Sequence, residues 1–67
     1  MEKEKIGTDA GNIWQILNEK GNVKIIDLKK TTKMDIKDIY LALGWLAREN
    51  KIQFFEMEKE LAVCIIS

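Results

Sequence analysis

The chain reads as a single α+β domain: three helices and a small three-stranded antiparallel sheet, in the order helix, strand, helix, helix, strand, strand. Three observations predict this. Two stretches, one around Ala10–Leu17 and one around Ile36–Leu46, place apolar residues at helical spacing. The last third alternates in polarity about a polar Glu58-Lys59-Glu60 turn, which is a hairpin pattern. The final strand, Leu61–Ile66, is apolar on both faces, so it suits the middle of a sheet and needs a second neighbour. The β-branched Val23–Ile25 is the only segment left to supply it.

The first helix is expected to start at Thr8 or Asp9, either of which can accept a hydrogen bond from a free backbone N–H. Ala10, Ile13, Trp14 and Leu17 make its apolar stripe, widened by Ile16, with Gln15, Asn18 and Glu19 opposite. Residues 1–7 are expected to be disordered. Gly21 suits the left-handed position that ends a helix, and Lys20 suits the negative end of the dipole. A brief strand follows over Asn22–Ile25. Ile26–Thr32 then makes about two helical turns anchored by Leu28 and by Ile25 or Ile26, and the two threonines suit its end.

Asp35 is placed to cap the third helix, with Asp38 three residues on in a capping-box-like position. Ile36, Ile39, Leu43 and Leu46 form its expected core face, flanked by Tyr40 and Ala47. Asn50 tolerates the left-handed conformation that would end it. The hairpin strands are Lys51–Met57 and Leu61–Ile66.

Composition narrows the function. The 67 residues contain no His, which removes the usual neutral-pH acid–base group and metal ligand. One Cys allows no intrachain disulfide and fits a reducing compartment. Cys64 lies in an apolar strand without an evident base, where a thiol behaves as a small hydrophobe. The four glycines, at 7, 11, 21 and 44, are isolated and build no phosphate loop. The carboxylates Asp35/Asp38 and Glu56/Glu58/Glu60 read as a cap and a solvated turn. The expectation is therefore no enzyme, no cofactor, no metal and no small-molecule substrate. The charged start, Met1–Lys5, is no signal peptide, and no apolar run is long enough for a membrane, so a cytoplasmic location is expected.

Charge cancels at 11 cationic and 11 anionic residues, but unevenly. Residues 20–37 carry net +4 and residues 49–60 net −2. Apolar content is high: 25 large hydrophobic side chains after Met1 exceed what one small core easily hides, which points to an interface.

The element order is that of a winged helix-turn-helix domain. Gly21-Asn22-Val23 and Ile26–Lys33 look like the strand, second helix and turn of winged-helix repressors. The stretch Ile39–Ile52, with Ala42-Leu43-Gly44-Trp45-Leu46-Ala47-Arg48-Glu49 at its centre, resembles the ALGWLARE signature of short, stand-alone bacterial winged-helix proteins of uncharacterised function. The resemblance covers about residues 8–66. Asn50 stands where that pattern has Gly, and it accepts the same left-handed cap.

The resemblance implies nucleic-acid binding of the transcription-regulator type, with double-stranded DNA as the partner. In that geometry the third helix enters the major groove, presenting Lys37, Leu41, Gly44, Trp45 and Arg48. Lys29, Lys30, Thr31, Thr32 and Lys33 lie where phosphate contacts are expected. The candidate nucleic-acid residues are thus Lys29, Lys30, Thr31, Thr32, Lys33, Lys37 and Arg48. The tip Glu56–Glu60 is acidic, which opposes contact between wing and phosphate. The alternative is a protein-interaction or dimerisation module that does not bind DNA. In either case the domain is expected to be a homodimer. Its candidate interface is Leu41, Gly44, Trp45, Phe55 and Met57, since Trp, Phe and Met favour interfaces. Gly44 costs a helix about 1 kcal/mol relative to Ala, which close approach of another backbone would offset.

Overall fold

Residues 3–66 are described by a computed structural model of the chain. Six elements follow in the expected order: α1 (Lys3–Lys20), β1 (Val23–Lys24), α2 (Ile25–Thr32), α3 (Ile36–Arg48), β2 (Ile52–Met57) and β3 (Glu60–Ile65). The sheet order is β1-β3-β2, with both pairings antiparallel, so β3 is central as its two apolar faces require.

Each helix ends on a left-handed residue. Gly21 (φ 82°) donates its N–H to the Leu17 carbonyl at 2.7 Å, and Lys33 (φ 60°) donates to Lys29 at 2.9 Å. The end of α3 is a double closure. Asn50 (φ 58°) donates to Ala47, and Lys51 donates to Leu46, both at 3.0 Å. Asn50 therefore does the work of a glycine. The hairpin turns on two residues, Glu58 (φ 53°) and Lys59 (φ 68°), between the paired Met57 and Glu60. Positive φ at both central positions is the type I′ geometry whose twist matches the strands.

Ile13 and Leu17 of α1, Leu28 of α2, Ile39 and Leu43 of α3 and Val63 of β3 are fully buried together. Each such side chain contributes roughly 1.5–3 kcal/mol by leaving water. Ala10 of α1 and Ala42 of α3 are also buried, and α1 packs chiefly along α3.

Three expectations change. α1 begins at Lys3 rather than at Thr8 or Asp9, so Lys3–Gly7 are helical; Met1 and Glu2 lie outside the described residues. Asp9 is then inside the helix, where the Lys5 ammonium meets it at 2.8 Å one turn away. Asp35 occupies the N-cap of α3, but its side chain makes no capping bond. Asp38 serves α1 instead, meeting Lys5 at 3.2 Å. Ile36 was expected in the core and is 43% exposed, because the buried stripe of α3 is centred on Ile39, Ala42, Leu43 and Leu46.

Candidate nucleic-acid interface

Helix α2 buries Ile25 and Leu28, which leaves Ile26, Lys29 and Lys30 facing solvent. Ile26, Lys29, Lys30 and Lys33 line an open depression of about 530 Å³. Lys33 joins them because its left-handed backbone closes the helix there. Thr31 is exposed beside them. Thr32 has a structural role: its hydroxyl donates to the Leu28 carbonyl at 2.7 Å and accepts from the Met34 N–H at 3.1 Å. That pair of bonds ends α2 and holds the turn, so the Thr32 hydroxyl is already engaged.

On α3, Lys37 and Arg48 are exposed near opposite ends of one outer strip, with Gly44 exposed between them. Eleven residues of helix separate the two cations by about 16 Å, more than the roughly 12 Å width of a major groove. This spacing suits contact with the phosphates on either side of a groove better than contact with one base pair. A Cβ at Gly44 would meet no heavy atom within 4 Å, so nothing among the described residues requires glycine there.

The residues expected at an interface are divided between α3 and the outer face of the sheet. Trp45 is half-buried against the core and lines a groove with Gly7, Ala10, Gly11 and Trp14 of α1. Leu41 is half-buried. Phe55 and Met57 are half-buried on the outer face of the sheet, where Phe55 pairs with Ala62, which Lys24 pairs from the other side. Ala62 is fully buried between these two longer neighbours. The strongly exposed large apolar residues are Ile26, Ile36, Tyr40, Phe54, Leu61 and Ile66. Helical spacing alone did not distinguish the Tyr40 flank of α3 from the Trp45 flank.

Charge is distributed with the same asymmetry. Lys24 of β1 pairs with Glu58 at the wing tip and with Glu60 at 3.3 Å. Glu58, and then Glu60, hold the Lys24 ammonium above its ordinary range, and Lys24 in turn holds the Glu58 carboxyl below its own. Lys5 is likewise raised by Asp9 and then Asp38. By contrast, Lys29, Lys30, Lys33, Lys37 and Arg48 make no ion pair among the described residues. No group of three or more potential metal-ligating side chains occurs among the described residues, and no described helix is long and apolar enough to cross a membrane.

Comparison with known proteins agrees with this architecture. No curated protein matches the chain. Among solved structures it is similar to the solution structure of protein BT2368 from Bacteroides thetaiotaomicron, at 32% identity and a TM-score of 0.84, over 97% of this chain and 79% of that one. A family model described as a winged helix-turn-helix domain, DUF2582, matches residues 1–65. With three helices, a β1-β3-β2 sheet and a match over nearly its whole length, the chain belongs to this winged helix-turn-helix family.

Proposed function

We propose that the chain is a nucleic-acid-binding winged helix domain of the transcription-regulator type, contacting duplex DNA through α2, the following turn and the outer strip of α3. The observation that carries this reading is the placement of five exposed cations, Lys29, Lys30, Lys33, Lys37 and Arg48, on α2, the following turn and the outer strip of α3. Unpaired lysines across α2 and the turn supply phosphate contacts, which position a protein without reading sequence.

The test is a titration of random duplex at several salt concentrations. Affinity should fall linearly on logarithmic axes, with a slope near −0.9 per phosphate neutralised. Removing Lys30 or Lys33 should reduce that slope by about 1 each. Absence of a complex at tens of micromolar protein in low salt would end this reading. The alternative is a protein-interaction module that does not bind DNA. It is favoured by the acidic wing, whose Glu58 is engaged by Lys24 and offers phosphate nothing.

A further inference from the structure

Four of the strongly exposed apolar residues lie together. Ile26 of α2, Ile36 and Tyr40 of α3 and Leu61 of β3 are 43–47% exposed and line one groove of about 330 Å³. The hairpin register extends it. Leu61 pairs with Glu56 and Val63 pairs with Phe54, so Phe54, Glu56 and Leu61 share one face of the wing. Phe54 is 42% exposed on that face. A continuous apolar surface rimmed by charge marks an interaction site.

The rims identify the occupant. On the α2 side stands Lys29, with Lys30 and Lys33 beyond it. On the wing side stand Glu60, which Lys24 engages, and Glu56, the cross-strand partner of Leu61. Neither Lys29 nor Glu56 makes an ion pair among the described residues. A duplex would be repelled by the Glu56 rim. A twofold axis through the apolar centre instead carries each rim onto the other, because in such an interface residue i meets j and j meets i. Zero net charge adds no long-range repulsion between copies.

We infer that this groove is the contact surface of a symmetric dimer, in which a second copy of the chain sets its wing Glu56 against Lys29 and packs Tyr40 and Leu61 across the axis. A standard interface takes about 800 Å² from each partner, roughly a sixth of this chain's 4598 Å² surface, so the groove and both rims are engaged together. This goes beyond the nucleic-acid reading and is measured without nucleic acid. Both nevertheless use Lys29, so duplex binding and dimerisation should oppose one another.

The experiment is sedimentation equilibrium on the full chain up to several hundred micromolar. The expected mass is twice 7.8 kDa. Lys29→Glu and Glu56→Lys should each weaken association about tenfold, as like charges meet across the interface. The double variant K29E/E56K should recover association. The decisive sample is an equimolar mixture of the two single variants, which should associate as well as the unaltered chain, because every cross-interface pair is then of opposite sign. Circular dichroism checks that each variant is folded. A mass that stays at 7.8 kDa overturns the proposal. So do single variants that dimerise unchanged, or a mixture that fails to associate.

Discussion

The two flanks of α3 are finished differently. Toward α1 the flank holds the denser packing: Ala10 and Ala42 are both buried, Trp45 is half-buried against the core beside a groove along α1, and Lys5 bridges Asp9 and Asp38. Toward α2 and the wing it is open, with Ile36 and Tyr40 in solvent. The two neighbouring helices also differ in length. The 18 residues of α1 span about 27 Å and exceed the roughly 20 Å of the 13-residue α3, whereas the 8 residues of α2 span only about 12 Å. α1 packs extensively along α3, whereas α2 meets it in few places and leaves a groove between Ile26 and Lys29 on its side and Ile36 and Tyr40 on the other.

The sharpest way to break this comparison is a matched pair of substitutions in α3. Ile39→Ala, at a fully buried site, should cost about 2–5 kcal/mol, while Ile36→Ala should cost less than about 1 kcal/mol. Urea unfolding of both variants reads the difference, and equal losses would abolish the distinction between flanks. A second pair compares aromatics. Trp45→Ala on the flank toward α1 should lose about 2 kcal/mol and keep its association state. Tyr40→Ala should leave monomer stability within about 0.5 kcal/mol and weaken self-association.

Smaller effects are expected at the wing. Lys59→Gly should raise stability by about 1 kcal/mol, because a left-handed lysine is strained where glycine is not; thermal melting checks this. The Lys24–Glu58 contact gives a pH signature. Glu58 is held below its ordinary value of 4.5, so its contribution is present above that value and is lost as pH falls through the lowered one. Lys24 is held above its ordinary 10.5, so its contribution is present below that value and is lost as pH rises through the raised one. Lys24→Met should shallow both limbs of a stability–pH profile measured by urea unfolding.

Much of this was legible in the sequence. The central position of β3 followed from its two apolar faces, Gly21 and Asn50 marked helix ends, and the lysines of α2 were visible as a net-positive segment. The start of α1 was missed because Thr8 and Asp9 look like caps, whereas Lys5 and Asp9 pair as successive turns of one helix. The open groove was missed for a different reason. Ile36 and Tyr40 have core-like spacing along α3, yet both are exposed on a groove they share with Ile26 and Lys29 of α2. That is a property of packing between helices, and no periodicity within α3 records it. The same holds for Trp45, which is outward by spacing yet half-buried against the core beside α1.

The left-handed backbone at Lys33 sets two requirements against each other. A glycine there would relax the turn between α2 and α3 and raise stability. It would also remove one of the three lysines around the α2 depression. Conformational ease and charge therefore favour different residues at position 33. A variant library selected for heat resistance alone should move that position toward glycine, and one selected for binding to a polyanion should retain the lysine.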